Sequence, residues 1–493
     1  MSALTAASPP VNLLETPTGV LIGGQWQPGR LGTFEVEDPA DTSRLASVAD
    51  ADVAQAVAAV DAAAAAADGW SRTAPRARSE ILYRAHELMR LHAEDVARLI
   101  VAENGKSTSD ALAEVAYAAE FFRWYAEEAV RGDGAYGSSP AGGTRTIVTH
   151  RPVGIAALVT PWNFPAAMVT RKIAPALAAG CTVVVKPASE TPLTALVIAR
   201  LLSDAGVPDG VVNVVPTTES AGVVTAWLTD ARVRKISFTG STQVGRILLR
   251  QAADRVLNSS MELGGNAPFV VLPDADLDAA VAGAMIAKFR GGGQACTAAN
   301  RFYVHESVVF DFVARFAEQV ERLSVGRGSD PASDIGPLIS ARALEGVRGL
   351  VDEAVRGGAR VAAQAPVPAG LAGHFMAPTL LADVAPDARV VQEEIFGPVA
   401  PVVTWREEPE LLEMVNGTEM GLAAYLYAGD LRRGLQLAEA IEAGMVGINR
   451  GVVSDPAAPF GGLKQSGLGR EGAREGLAEY QETQYFSVDW APA

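Results

Sequence analysis

The sequence predicts an α/β protein whose strands lie in parallel sheets. Three observations carry that expectation. Short apolar runs recur at 155–160, 182–185, 211–215, 235–239 and 268–272, too brief for ordinary helices and rich in β-branched residues. Helical segments such as 174–179 and 192–205 lie between several of them, and strands joined through helices pair in parallel. A chain of 493 residues, 49% hydrophobic and 20% charged, has material for two or more domains with substantial cores.

The elements follow in order. Residues 1–20 form a polar lead bearing Pro and Thr. The stretch 51–67 is dense in Ala and reads as a helix ending near Gly69. Across 76–103, Ile81, Leu82, Leu88, Met89, Leu99 and Ile100 recur at helical spacing, and 111–131 reads as a further helix. A Gly- and Ser-rich break follows at 132–143. After the central strand–helix alternation, helices are expected at 308–323, 341–357 and 431–443, with a strand-like run at 399–404. The stretch 480–490 alternates apolar and polar residues and reads as an exposed edge strand, of the kind that pairs with another subunit.

Charge and cysteine usage exclude several classes. A formal net charge of -16 leaves no clustered cationic surface for nucleic acid. Two cysteines, Cys181 and Cys296, make no disulfide framework and fit a reducing compartment. The first basic residue is Arg30, so the N-terminus lacks the charged character of a signal or transit segment. No stretch approaches the ~18 uninterrupted apolar residues of a membrane span. A cytoplasmic protein is expected.

Four motifs carry chemistry. Pro161-Trp162-Asn163-Phe164-Pro165 follows a strand, where open α/β sheets bind ligands, and the Asn163 amide could donate to a developing oxyanion. A stiff turn with a structural Asn fits the same residues. Phe238-Thr239-Gly240-Ser241-Thr242-Gln243-Val244-Gly245 runs from strand to helix with the small residues that admit a pyrophosphate, though many such turns bind nothing. Glu262-Leu263-Gly264-Gly265-Asn266 sets a carboxylate, a candidate general base, before two glycines; a surface Glu before a turn is the alternative. Gly291-Gly292-Gly293-Gln294-Ala295-Cys296 delivers a cysteine after a glycine run. If a helix follows, its end would stabilise the thiolate. Cys181 opens an apolar strand and reads as a small core residue.

The ordered set PWNFP, KPASETP, FTGSTQVG, ELGGNAP, GQAC, EEIFGP and PFGGLKQSGLGRE resembles the aldehyde dehydrogenase superfamily over roughly residues 20–490. The separations of 34 residues from Glu262 to Cys296 and 133 from Asn163 to Cys296 match that family. The resemblance implies a Rossmann-like cofactor domain (1–132 and 152–262), an α/β catalytic domain (263–470) and a β-arm for oligomerisation (133–151 and 471–493), the arm pairing with the C-terminal strand across a dimer. It implies Cys296 as nucleophile. Asn163 and the Cys296 backbone N–H would form the oxyanion hole, Glu262 would activate water, and Lys172 and Glu471 would form a proton path and its support. Trp162, Lys186, Ser189, Gly240, Ser241, Gly245, Leu263, Glu394 and Phe396 would hold the cofactor. Lys186 and Glu394 fall at ribose positions and Ser241 at the pyrophosphate.

Within the superfamily the segments 170–172, 263–269, 288–290, 421–425 and 444–449 resemble succinate-semialdehyde dehydrogenases. The subgroup's carboxylate-binding positions fall on Arg171, Arg290 and Ser454. Ser189 stands where NAD-preferring relatives often carry Glu, which implies NADP as the preferred cofactor with NAD as the second. The neighbouring Glu190 would point the other way if 189–190 is extended. Ala298 replaces a second cysteine that some relatives use as a redox pair with the nucleophile. Expected partners are a small aldehyde and further copies of the chain, as dimer or tetramer, with no nucleic acid, membrane or metal. The rivals are a dehydrogenase of another carboxylated semialdehyde such as glutarate semialdehyde, a coenzyme-A-acylating relative, which would not need Glu262, and a silent binding relative.

Overall fold

The computed structural model describes residues 16–132 and 134–490, so most of the polar lead lies outside the described residues. The first sheet has eight strands. Its central five, in the order Val212–Val214, Val183–Lys186, Ile155–Val159, Val233–Thr239 and Asn258–Glu262, are parallel. Val20–Ile22 and Gln25–Gln27 extend one edge antiparallel, and Gly467–Leu468 closes the other.

The parallel core follows from residues that are apolar towards both faces. In Ile155–Val159, Ala156 and Leu158 pack into one hydrophobic cluster while Ile155 and Ala157 pack into another behind the sheet. The chain winds outwards from this strand in both directions, so a switch point lies between it and Val233–Thr239. The Trp162–Asn163 turn and the Gly240–Ser241 turn leave the carboxyl ends of these two strands, where a ligand crevice is expected.

The second sheet has seven strands, in the order Arg360–Gln364, Thr379–Ala382, Val399–Trp405, Ala299–His305, Ala267–Val271, Ala423–Tyr427 and Met445–Ile448. All neighbours but the first pair run parallel. Phe269 and Val271 face one cluster, Val270 and Leu272 the other.

Some expectations need correction. The periodic stretch 76–103 is two helices, Pro75–Leu91 and Ala93–Asn104, broken at His92; the second ends at Gly105, whose φ of 87° suits only glycine without strain. The break at 132–143 contains a strand, Ala135–Ser138. The C-terminal strand Gln481–Asp489 does not reach across a dimer for its pairing. It pairs with Thr144–Pro152 of the same chain at nine successive positions, which fills that edge and leaves its own outer edge open, with Tyr485 and Phe486 exposed. Among the described residues no helix is long and apolar enough to cross a membrane.

Glycine positions give a stability test. Gly293 has φ 73°, and a Cβ there would lie 2.3 Å from the Gly397 carbonyl oxygen. Gly346 and Gly349 are exposed on the helix Ala341–Arg356, with open space around them. Gly293→Ala should destabilise by more than about 2 kcal/mol, while Gly346→Ala and Gly349→Ala should each stabilise by about 0.5–1 kcal/mol. Thermal midpoints of the three variants check both signs.

Candidate active site

The helix Leu277–Phe289 ends at Arg290, and Gly291, Gly292 and Gly293 then take φ values of 60°, 64° and 73°. Three left-handed residues in a row reverse the chain in the smallest space, and only glycine does this without strain. The turn delivers Cys296 to the mouth of the strand Ala299–His305. No helix follows Cys296, so the helix-end stabilisation of its thiolate does not arise. Burial, reinforced by the Glu394 carboxylate, pushes the thiol up to about 12, and Arg171 opposes the rise. Cys181 is buried, and its Sγ donates to the Tyr480 carbonyl at 3.4 Å.

Cys296 opens on a cavity of about 130 Å³. Arg171, Arg290 and Ser454, separate in sequence, all line it. Phe164, Met168 and Phe460 supply apolar wall. Arg171 is 2% exposed, on the helix Pro165–Ala179, every residue of which is buried. It donates to the Tyr117 hydroxyl, lies 3.6 Å from Glu471 Oε2 and sits over the Phe460 ring at 4.0 Å. Burial alone would weaken its proton affinity; Tyr117, Glu471, Cys296 and Glu262 together raise it. Its Nε has no protein partner. Arg290 is half-buried, with no ion pair among the described residues, and lies over the Phe164 ring at 5.7 Å.

The Asn163 turn is strapped down by residues that the sequence reading did not single out. Lys106 donates to Glu114 at 2.5 Å and to the Asn163 carbonyl at 2.8 Å. The other Glu114 oxygen accepts from the N–H groups of Ala166 and Ala167, the exposed donors at a helix start. Asn104 donates to the Trp162 carbonyl at 3.1 Å. One signal was present: Glu114 shares a helical face with Ala111, Val115 and Ala118, all buried, and a carboxylate on such a face requires a partner. Asn163 in turn donates its amide to the Gln294 carbonyl at 3.0 Å, two residues from the cysteine.

Glu262 is not a surface residue. It ends a central strand at 3% exposure, but it is not part of the cavity wall beside Cys296. Burial first and the Glu471 charge second hold its carboxyl well above the usual range, against Lys172, Arg171 and Arg470. Lys172 is fully buried and donates to Glu471 at 2.5 Å and to Ser237 at 2.9 Å.

The switch-point crevice holds the remaining candidates. Ser241 caps the helix Thr242–Ala253 by accepting from the Val244 N–H, and the first turn carries no acid, so its N–H groups suit an anion. Gly240 passes the Phe238 ring, and Gly245 lets this helix settle on Leu263, whose Cδ2 would lie 2.4 Å from an added Cβ. Lys186, 7% exposed, has no hydrogen bond or ion pair among the described residues, and burial lowers its pKa. An unpartnered buried ammonium, a free helix start and the Trp162–Phe396 aromatic pair, 5.5 Å between ring centres, are a fitting set for a dinucleotide. Phe396 holds φ 52°, a strained conformation of the kind kept at ligand sites. Glu394 accepts from the Gly265 N–H, and burial raises it to about 7. Gly264 abuts Glu394, and Gly265 abuts the Cys296 carbonyl, where a Cβ would come within 2.4 Å. The double glycine thus joins the switch-point crevice to Cys296. Ser189 donates to Glu190 at 3.1 Å, so the two do not point apart: they lie in a bend, where strand alternation does not apply.

The raised thiol has a measurable sign. A pKa above neutrality leaves Cys296 mostly protonated, and its thiolate fraction grows as pH rises. Iodoacetamide should alkylate Cys296 at a rate rising about tenfold per unit between about pH 6 and 9, with Cys181 unlabelled. A plateau below neutrality would contradict this.

Residues 26–486 match the aldehyde dehydrogenase family. A succinate-semialdehyde dehydrogenase of Paenarthrobacter nicotinovorans is 54% identical over 444 residues, 90% of this chain and 98% of that one. The NADP(+) succinate-semialdehyde dehydrogenase of Escherichia coli K12 is 46% identical over 477 residues, 95% and 97% of the two chains. The crystal structure of a succinate-semialdehyde dehydrogenase from Burkholderia pseudomallei superposes with a TM-score of 0.94 at 45% identity, covering 96% of this chain and 98% of that one. With matching motifs, fold and relatives of full length, this chain belongs to the aldehyde dehydrogenase family.

Proposed function

We propose that this chain oxidises succinate semialdehyde to succinate with NADP, through a thioester on Cys296. The observation that carries the substrate is the convergence of Arg171, Arg290 and Ser454 on the cavity beside the nucleophile. Lys106 and Glu114 also line that cavity but neutralise each other, and the Asp110 carboxylate there accepts from the Gly291 N–H. Arg290 has no ion pair among the described residues, and Arg171, with Glu471 at 3.6 Å, keeps an unpartnered Nε, so both can receive an incoming carboxylate, a partner that arginine's fork suits. The P. nicotinovorans and E. coli relatives bear the same activity in their names.

The chemistry uses these residues in sequence. Cys296 first loses its thiol proton to solvent water; its Sγ then adds to the aldehyde carbon, and the new oxyanion receives the Cys296 backbone N–H and the second amide hydrogen of Asn163, the first being held by Gln294. When bound, the nicotinamide supplies the two-electron acceptor that converts this adduct to a thioester. Glu262, its proton affinity raised by burial, takes a proton from the water that hydrolyses the thioester. Glu471 receives that proton, and the Lys172 ammonium bonded to it holds the counter-charge.

In this reading 1–132 and 152–262 are the cofactor-binding unit and 263–470 the catalytic unit, with Gly467–Leu468 returning to the first sheet. Residues 133–151 and 471–493 form an arm whose open edge joins further copies, as dimer or tetramer, of a cytoplasmic enzyme. Trp162, Lys186, Ser189, Gly240, Ser241, Gly245, Leu263, Glu394 and Phe396 hold the dinucleotide. Glutarate semialdehyde, which presents the same carboxylate, is the second reading.

Arginine truncation tests the substrate. Arg290→Ala should lower kcat/KM for succinate semialdehyde by roughly 30-fold to several thousand-fold, the cost of about 2–5 kcal/mol for losing one partner of a buried charge pair. Butanal turnover should change little, and Cys296→Ala should abolish both. Near-normal efficiency of Arg290→Ala with succinate semialdehyde would remove the substrate assignment.

The cofactor has its own test. Ser189 lacks the carboxylate that would repel a 2′-phosphate, and Lys186 is near in sequence to attract one; Glu190, bonded to Ser189, works against this. The balance favours NADP. Ser189→Glu should shift the ratio of kcat/KM values towards NAD, and a wild type that prefers NAD would overturn the reading.

A further inference from the structure

The charged side chains that line the cavity beside Cys296 are Lys106, Asp110, Glu114, Arg171 and Arg290. Lys106 and Glu114 pair with each other, and Arg171 pairs with Glu471 at 3.6 Å. Arg290 and Asp110 have no ionic partner among the described residues. Both are half-buried, so they stand nearer solvent than Arg171, which is 2% exposed.

The two meet at one residue. Asp110 accepts from the Gly291 N–H at 2.8 Å, and Arg290 precedes Gly291 in the chain. Opposite charges thus flank a single glycine without pairing with each other. Fastening the Gly291 turn does not by itself call for an acid. Asparagine would accept the same N–H and place no negative charge in a cavity that receives an anion. An acid in the first turn also suits the helix Thr108–Ala129. The exposed Ser109 position would serve that end without touching the cavity. The carboxylate on the cavity wall therefore asks for a partner in the cavity.

Resting on the reading of this cavity as a carboxylate-binding site, we propose that the enzyme also oxidises semialdehydes bearing an ammonium on the carbon next to the carboxylate. Arg290 takes the carboxylate and Asp110 the ammonium. An α-amino acid head group carries opposite charges one carbon apart, which is the pattern left unpaired on the two sides of Gly291. Asp110 Oδ2 is held by Gly291, which leaves Oδ1 for the ammonium. A cavity with arginines alone would strip water from that ammonium and give it no anion in return. The smallest such substrate is 2-amino-4-oxobutanoate, which is succinate semialdehyde with one added amino group. Its carboxylate and aldehyde are as far apart as in succinate semialdehyde, so the aldehyde carbon reaches Cys296 in the same way. The aldehyde carbon loses a hydride to NADP and gains the oxygen of one water through the same thioester. Two protons pass to solvent, and the product is the 2-amino dicarboxylate. The ammonium takes no part in the chemistry.

Steady-state kinetics with the two aldehydes test this. The wild type should oxidise one enantiomer of 2-amino-4-oxobutanoate with kcat/KM within about tenfold of that for succinate semialdehyde. A lower value overturns the proposal. The other enantiomer should be used at least about tenfold less well, because attachment at Cys296, Arg290 and Asp110 distinguishes mirror images. Equal use of both forms would remove Asp110 as the ammonium's partner. Asp110→Asn keeps an acceptor for Gly291 but loses the charge. It should lower the ratio of kcat/KM values, amino aldehyde over succinate semialdehyde, by more than about tenfold. A merely structural role would lower both aldehydes together, and an unchanged ratio also overturns the proposal. Arg290→Ala keeps the two readings apart. It should impair both aldehydes, and near-normal efficiency with succinate semialdehyde in that variant would overturn the reading of the cavity itself.

Discussion

The arrangement of this site rests on one buried ion pair. Lys106 and Glu114 are each under 5% exposed, and each would be costly to bury alone. Together they fasten three things: the Asn163 carbonyl, the start of the Pro165–Ala179 helix and the helix Thr108–Ala129. That fastening sets where Asn163 can reach. Its amide meets the Gln294 carbonyl, so the turn after one sheet's strand is docked on the loop before the other sheet's strand. Arg171 and Lys172 are carried on the same fastened helix, one turned towards the cavity and the other towards Glu471.

Burial has a second consequence. The Cys296 thiol and the Glu262 carboxyl are both raised, in each case first by burial. Neighbouring negative charges add to both shifts, Glu394 for the thiol and Glu471 for the carboxyl. Arg171 opposes both, because it lies near both. A thiol and a carboxyl held close to a shared cation respond to each other's ionisation. Charge introduced on one is felt by the other through a low-dielectric interior.

Much of this was legible in the sequence, and the parts that were not share a cause. Turns at strand ends announce themselves, since Pro161, Asn163, Gly240 and the glycines at 291–293 are residues with few other uses. Arg171, Arg290 and Ser454 could be named from a resemblance, and the cavity unites them. What single-chain patterns could not supply was pairing between distant segments. Lys106 looks like an ordinary loop lysine until Glu114 and Asn163 are brought to it. The missing helix after Cys296 reflects a strand that begins only three residues later, at Ala299. Ser189 and Glu190 meet because they occupy a bend, a local departure that alternation rules cannot see.

Arg171 shows how little the two sides of the site can be separated. Its guanidinium is 3.6 Å from Glu471 on one side and lines the cavity beside Cys296 on the other. Glu471 is its ionic partner, while its Nε is unpartnered. A bound carboxylate would bring a second anion to the same cation. Two anions sharing one guanidinium disfavour each other's ionised form, but each is stabilised by the cation more than it is destabilised by its rival as long as their separation exceeds either distance to the cation. A cation in the cavity wall, between a bound carboxylate and the buried acid, would meet that condition. Lysine in its place would concentrate the charge on one nitrogen and lose the spread of donors that serves two partners at once.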